Sequence, residues 1–213
     1  MASILVEDHA ARGVRTVDGT EYRAKVVVSN ANAYDTFHKM MDEREYLKDH
    51  LARLDGFSVS LSSFQGFLGL KKDLIREVGT TDSEIFCETG YDSEENYNIA
   101  GEKKAYRAEK ERMADVLIRR VEAKLLPGLS KAIEVKEIGT PLTNVRCTRN
   151  YRGAIYGWDE TLENSMPRRL SQRTPINNLY LAGAWTQPGH GYGAVIPSGL
   201  QCFATIMGDW GRA

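Results

Sequence analysis

The chain has 213 residues, of which 42% are hydrophobic and 27% charged, and its net charge is -1. This length and composition predict a globular protein of one large or two small domains and exclude a wholly disordered chain. The balance of 28 basic against 29 acidic residues gives no electrostatic reason to expect general nucleic-acid binding.

The cysteines and histidines predict neither a metal site nor a disulfide framework. Cys87, Cys147 and Cys202 lie far apart and form no CxxC pair, and the histidines are scattered. An odd, sparse cysteine count is typical of a reducing compartment, although it leaves one disulfide open. The sequence shows no signal peptide, lipidation motif or membrane-spanning apolar run, so we expect a cytoplasmic protein and leave peripheral membrane contact open.

The N-terminal residues predict β-structure. Residues 3–6 form a short apolar run, and residues 13–24 contain the pair Asp18-Gly19 between β-favouring side chains. An Asp-Gly pair can supply the two positive φ angles of a type I′ turn, so we expect a hairpin there. Residues 26–28 (VVV) are typical of a strand covered on both faces in a parallel sheet.

The next segment changes from a helical to a strand pattern. Apolar side chains recur at helical spacings between residues 32 and 54, which predicts two helices with Asp42 as the cap between them. Residues 57–70 alternate over much of their length, so we expect a strand. It could face a pocket, and the alternative is an ordinary core strand.

The middle of the chain carries the clearest helix. Residues 82–104 are polar and acidic and predict a loop, whereas an apolar repeat of four predicts a helix over residues 105–126. Pro127 and Gly128 are expected to end that helix. Residues 133–138 then predict a strand.

Residues 151–158 (YRGAIYGW) concentrate aromatic side chains and glycines. The cluster could form an aromatic pocket wall near a planar ligand. The alternative, slightly favoured on residue types alone, is that the aromatics pack in a core and the glycines permit turns.

The C-terminal residues predict a strand, a glycine-rich loop and a helix. The sequence NLYLAG alternates up to Gly183, and TQPGHGYGA leads into a helix expected to begin near Gly193 or Ala194. The free amides and dipole of such a helix start favour negative charge. Side chains at helical spacing are expected to form a stripe along this helix: Val195, Gly199, Phe203, Ile206 and Trp210.

Four segments together resemble one known group of proteins. They are, in chain order, GVRTVDGTEYRAKVVVSNANA, YRAEKERMADVLIRRVEAKLLPGL, TPLTNVRCTRNYRGAIYG and NLYLAGAWTQPGHGYGAVIPSG. The set resembles the phytoene desaturase, carotenoid isomerase and retinol saturase group of FAD-dependent oxidoreductases. The resemblance covers most of the chain. It indicates the superfamily and the branch within it, but it does not identify the substrate.

The resemblance implies an α/β (mixed α+β) fold in which a partial Rossmann-like FAD domain is interleaved with a substrate domain of mixed sheet and helices. It assigns residues 1–32 to an FAD-domain hairpin and strand, residues 33–175 to the substrate domain, and residues 176–213 to the last FAD-domain strand and helix. The residues expected beside the flavin are Gly183, Ala184, Gly191, Tyr192, Gly193, Ala194 and Val195. A tight strand-to-helix turn is the alternative reason for these glycines.

The implied activity of a complete protein is hydride transfer between FAD and a hydrophobic polyene of carotenoid or retinoid type, or a related lipid. No metal and no catalytic acid or base is assigned. His190 lies in the loop, but an unpaired loop histidine is more often solvent-exposed than catalytic.

The sequence departs from the family pattern in three places. The GxGxxG fingerprint that binds the pyrophosphate is absent, Ala184 stands where an acidic residue usually follows the strand glycine, and residues 82–106 look short. We therefore expect a fragment that binds FAD weakly or not at all and is inactive without a missing N-terminal FAD-binding segment. The alternative is a cofactor-free lipid-binding or protein-interaction module that keeps the substrate-domain fold.

Overall fold

The computed structural model describes residues 3–42, 44–71, 73–79 and 103–211. The chain forms two compact units, one made of Met1–Leu61 with Val145–Ala213 and the other of Ser62–Asn144. Each unit has its own hydrophobic core. The unit boundaries describe compactness and not ligand binding, so the assignment of residues 1–32, 33–175 and 176–213 to cofactor and substrate domains stays a prediction.

The first unit begins with a three-stranded antiparallel sheet in the order β1-β2-β3. Its strands are β1 (Ser3–Glu7), β2 (Ala10–Arg15) and β3 (Glu21–Arg23). Ile4 and Ala11 contribute buried side chains to the core from β1 and β2. The apolar run predicted at residues 3–6 is therefore a core-facing strand.

The predicted hairpin at Asp18-Gly19 is confirmed, but its type I′ turn is wrong. Of the two residues only Gly19 has a positive φ, 89°. The loop spans Thr16–Thr20, closed by the N–H of Thr16 donating to the carbonyl of Thr20 at 2.9 Å, and this longer loop needs only one positive φ. Two successive positive φ angles occur instead at Asp8 (49°) and His9 (57°), in the two-residue turn between β1 and β2.

A parallel pair of strands lies beside this sheet. β4 (Val27–Ser29) pairs in parallel with β7 (Leu179–Leu181), which confirms the parallel pairing predicted for the valine run. Val27 is buried, whereas Val28 points to the opposite face and is 47% exposed. The expectation that both faces of this strand are covered is therefore wrong for the described residues.

Two short helices follow β4. They are α1 (Ala33–His38), whose N-cap Asn32 accepts a 2.7 Å hydrogen bond from the N–H of Asp35, and α2 (Lys48–Asp55). Asp42 does not cap the second helix, contrary to the sequence prediction. The residue preceding α2 is Leu47, which is buried in the core, so apolar burial rather than a polar cap fixes where α2 begins.

The second unit pairs two strands and packs helices around its own small core. β5 (Gln65–Leu70) and β6 (Ile133–Gly139) are antiparallel, and the helices are α3 (Leu74–Val78), α4 (Lys103–Lys124) and α5 (Leu129–Ala132). α6 (Pro141–Thr148) runs across the boundary to the first unit.

Most sequence predictions for this part of the chain are confirmed. The long helix is α4, the strand at residues 133–138 is β6, and Gly128 has a positive φ of 85° after α4 ends. The strand predicted for residues 57–70 forms only in its second half, as β5; in the first half Val59 makes a single bridge to Trp158. The predicted loop at residues 82–104 lies outside the described residues, except that its last two positions begin α4.

The last element is α7 (Tyr192–Trp210), which follows β7 after a loop. It belongs to the first unit together with the N-terminal strands. Among the described residues, no helix combines the length and the apolar character needed to cross a lipid bilayer.

Candidate functional site

The predicted site lies on the continuous segment β7, loop and α7. Gly183 lies two residues after the end of β7 and has a φ of 99°, and a Cβ placed on it would overlap Oδ1 of Asn30. The neighbouring asparagine therefore occupies the space that a side chain at this position would need.

A buried polar cluster ties the loop to α7. The N–H of Gly183 donates to Oγ of Ser198 at 2.9 Å, and Oγ of Ser198 lies 3.4 Å from the hydroxyl of Thr186. Gln172 donates to that hydroxyl at 3.3 Å and to the carbonyl of Gln187 at 2.7 Å. Ser198 and Thr186 are both buried, so these bonds are shielded from water and hold the strand end against the helix.

Arg169 is the main functional candidate that sequence reasoning missed. Its side chain has no solvent exposure and donates to three backbone carbonyls, those of Ala184 (2.7 Å), Trp158 (3.2 Å) and Tyr156 (3.3 Å). It also pairs with the carboxylate of Glu160 at 3.1 Å. Burial lowers the pKa of the Arg169 guanidinium, an effect that Glu160 partly offsets. The arginine thus fixes the backbone at Ala184 through a charge-assisted bond.

Glu160 and His190 extend this arrangement along the loop. Nε2 of His190 lies 3.7 Å from Oε1 of Glu160, and a Cβ on Gly189 would come within 3.0 Å of the same oxygen. The ring of His190 stacks on Tyr156 at 4.3 Å between centroids. His190 is therefore partnered rather than free, which the sequence alone did not indicate.

The aromatic cluster at residues 151–158 mainly packs in the core. Trp158 is buried and contacts the rings of Phe57 and Trp185 edge-on, at 5.4 Å and 4.8 Å between centroids. Tyr151 stacks on Tyr34 at 3.9 Å. These contacts support the core-packing alternative for most of the cluster.

The start of α7 is open and uncapped. Its N-cap Gly191 has a φ of 81° and makes no side-chain cap, and the first turn has no acidic residue. The N–H groups of Ala194 and Val195 donate to the carbonyl of Gly191 at 3.0 Å and 2.9 Å. Those of Tyr192 and Gly193 have no acceptor among the described residues. A Cβ on Gly191 or Gly193 would meet nothing within 4 Å, so there is open space beside both glycines.

The seven predicted site residues thus fall into two environments. Gly183 and Ala184 lie in the packed turn after β7. The five residues from Gly191 to Val195 form the start of α7, where the first three are exposed and the last two half-buried. The structure places both groups on one strand-to-helix segment. Their contact with a cofactor stays a prediction.

The residues predicted to form a helical stripe do lie on one helix, α7, but they do not form its packed side. The helix is buried at Ser198 and Cys202, while Phe203 and Trp210, both assigned to the stripe, are exposed. The small polar side of the helix packs instead, because Ser198 bonds to Gly183 and Asp209 accepts a 2.9 Å bond from the hydroxyl of Tyr180 on β7. The large apolar side chains consequently point away from β7.

Other candidate sites are weaker. A shallow depression of about 420 Å³ is lined by His9, Asp42, Arg44, Glu45 and Tyr46, none of which belongs to the glycine-rich loop. In the part of the chain that the structure describes, no three His, Cys, Asp or Glu side chains are grouped so that they could hold a metal ion.

Comparison with known proteins identifies relatives across almost the whole chain. No protein-family model matches. A chloroplastic prolycopene isomerase from carrot (Daucus carota) is 30% identical over an alignment of 249 positions, covering 98% of this chain and 39% of that protein. The Arabidopsis thaliana prolycopene isomerase is 29% identical, with 98% and 41% covered. A neurosporene-forming phytoene desaturase from Rhodobacter capsulatus is 24% identical, with 92% and 45% covered.

A solved structure supports the fold class. An oxidoreductase from Methanosarcina mazei superposes with a TM-score of 0.51 at 10% identity, covering 97% of this chain and 48% of that chain. The mixed α/β fold is therefore confirmed, and so is the resemblance to the phytoene desaturase and carotenoid isomerase group. The retinol saturase part of the resemblance stays a prediction. This chain spans less than half the length of each of these relatives.

Proposed function

We propose that this chain, a homologue of the carotenoid desaturases and isomerases, serves in an FAD-dependent oxidoreductase that acts on a hydrophobic polyene or a related lipid. The observation that carries the proposal is the uncapped start of α7, where two backbone amides have no acceptor among the described residues, in a chain related to these enzymes over nearly its full length.

The start of α7 fits the negatively polarised edge of a flavin. The amides of Tyr192 and Gly193 would hold that edge, since they have no acceptor among the described residues and no acidic side chain lies in the first turn. The positive end of the helix dipole favours an anion at the same place. When bound, the flavin would supply the hydride chemistry.

The chain's own contribution is positioning. Arg169 donates a hydrogen bond to the carbonyl of Ala184, and Ser198 accepts one from the N–H of Gly183. These bonds fix the position of the turn after β7 relative to α7 without a ligand. Such preorganisation lowers the entropy cost of binding. The side chain of Tyr192 is 88% exposed, so the described residues alone do not exclude water from the helix start. This supports weak FAD binding by the 213-residue chain by itself.

The substrate class is proposed from the relatives. The names of two relatives specify prolycopene isomerisation and neurosporene-forming phytoene desaturation, both on carotenoid substrates. We assign the class of hydrophobic polyenes and related lipids and no direction of reaction. A cytoplasmic location and a peripheral membrane contact stay predictions; the carrot relative is named chloroplastic.

The test compares protein expressed from the complete reading frame with the 213-residue chain alone. We expect the first to purify with a visible flavin spectrum that bleaches on reduction, and the second to retain little or no FAD. A colourless protein from the complete reading frame that does not bind added FAD would contradict the proposal. That result would favour the cofactor-free lipid-binding or interaction module.

A further inference from the structure

One side of α7 is apolar and exposed to solvent. Six of its side chains are between 50% and 88% exposed and together define the outward face of α7: Tyr192, Ile196, Leu200, Phe203, Met207 and Trp210. At about 100° per residue these positions fall on one side of the helix, opposite Ser198 and Cys202. Ile196, Leu200, Phe203 and Met207 follow the alternating spacing of four and three that helices use to pack.

The outward face has no charged residue. Asp209 is the one charged residue of α7, and it lies on the packed side, where Arg173 donates to it at 2.7 Å and Tyr180 at 2.9 Å. A surface helix normally turns polar or charged side chains toward solvent, so large apolar side chains without any charge on the exposed side are typical of a helix face that is covered. Apolar patches of this kind mark interaction sites on soluble proteins.

The adjoining sheet indicates what covers this face. Among the described strands β4 pairs only with β7, and its exposed Val28 lies on the same sheet face as Tyr180, which contacts α7. Parallel sheets are normally extended by further strands and covered on both faces. A second copy related by two-fold symmetry would bring β4 antiparallel to β4 and could not extend a parallel sheet.

A lipid surface fits less well than protein. Helices that lie on membranes usually carry Lys or Arg on their polar side, whereas α7 carries neither. The relatives indicate a protein segment that could cover the outward face of α7. In the carrot isomerase and the Methanosarcina oxidoreductase, the part matched by this chain makes up 39% and 48% of the polypeptide. In both proteins this fold is thus joined to at least as much further protein.

We propose that the outward face of α7 is the docking surface for that further protein, presented as an apolar helix or sheet face encoded in the same reading frame. Which protein segment docks here rests on the proposed function, because docking of the remaining polypeptide would also cover the start of α7 at Tyr192, where the cofactor is proposed to bind. The interface itself needs no flavin.

The experiment measures the accessibility of Leu200 by cysteine labelling. Leu200→Cys is introduced with Cys87→Ser and Cys147→Ser, and its reaction with a maleimide is timed in the 213-residue chain and in protein from the complete reading frame. The control is Gly208→Cys, an exposed position on another side of α7 where a Cβ meets nothing within 4 Å. We expect Leu200→Cys to react at least tenfold more slowly in the complete protein and Gly208→Cys to change less than threefold.

Three results would overturn the proposal. They are equal labelling of Leu200→Cys in both samples, protection in the 213-residue chain that grows with its own concentration, and protection only when phosphatidylcholine vesicles are added. The second would indicate self-association and the third a lipid surface. Flavin absorbance is read separately, so a colourless protein with a protected Leu200→Cys rejects the proposed function and keeps the interface.

Discussion

At the scale of single residues, the buried Arg169 explains how a glycine-rich loop can keep one backbone conformation. Its guanidinium joins the carbonyls of Tyr156, Trp158 and Ala184 and the carboxylate of Glu160. The sequence could not reveal this, because Arg168 next to it has the same chemistry and is exposed. Only the tertiary fold distinguishes the two arginines.

Arg169→Gln is expected to destabilise the protein by about 3 kcal/mol, because it removes charge-assisted hydrogen bonds and leaves buried carbonyls without a donor. The matched control Arg168→Gln should cost less than about 1 kcal/mol, since that side chain is exposed. Urea unfolding of the two variants measures the difference. Equal losses of stability would show that the network around Arg169 contributes nothing specific.

His50 gives the first unit a sensitivity to acid. Burial, reinforced by the charge of Arg53, lowers the pKa of His50 from 6.5 to about 4, and its Nε2 has no hydrogen-bond partner among the described residues. The unfolded chain therefore binds a proton at this residue more readily than the folded protein. Its effect on stability is absent above pH 6.5 and grows as the pH falls toward 4.

His50→Gln should reduce the loss of unfolding free energy at acidic pH. Between pH 7 and pH 4 we expect the wild-type protein to lose about 2 kcal/mol more unfolding free energy than the variant, after allowance for partial exposure of the ring. His190→Gln serves as the control, because its ring lies in the loop and not against Phe37. Parallel pH profiles for wild type and His50→Gln would refute the assignment.

At the scale of elements, periodicity predicted those whose own residues carry a clear helical or strand pattern, even where the pairing strand is distant in the chain. The hairpin, α4, β6 and the parallel strand at the valine run were all predictable from local pattern. The packed side of α7 was not, because it is set by contacts with Tyr180 on β7 and with Gly183 in the turn after β7 rather than by the largest apolar side chains. The cap predicted at Asp42 failed for a related reason, since the buried Leu47 determines where α2 begins.

Gly183→Ala tests the packing at the end of β7. The added methyl group would overlap Oδ1 of Asn30 and require a positive φ from a residue with a Cβ, so we expect a loss of at least about 2 kcal/mol. Asn30→Ala in the same chain should recover part of this loss, because it removes the overlap but not the backbone strain. Thermal unfolding of the single and double variants measures the recovery. If the double variant recovers no stability, overlap with Asn30 is not the cause of the loss.

At the scale of the whole molecule, the sequence motifs predicted the relatives and the fold class but not which surfaces are open. Motif order carries information about ancestry, whereas exposure depends on contacts between distant segments. The parallel pair β4 and β7 joins the two ends of the chain within one unit, and α7 presents an apolar face outward from it. Both features agree with a fold that, in its relatives, is part of a longer polypeptide.

We propose that the amides at the start of α7 hold the negatively polarised edge of FAD. An FAD titration of protein from the complete reading frame tests it with Gly193→Asp and its control Gly208→Asp, both at positions where a Cβ meets nothing within 4 Å. An acidic residue near a helix start stabilises the helix, so any loss of binding would come from repulsion of the ligand. We predict at least tenfold weaker FAD binding for Gly193→Asp and unchanged binding for Gly208→Asp; equal affinities for wild type and both variants would contradict the claim.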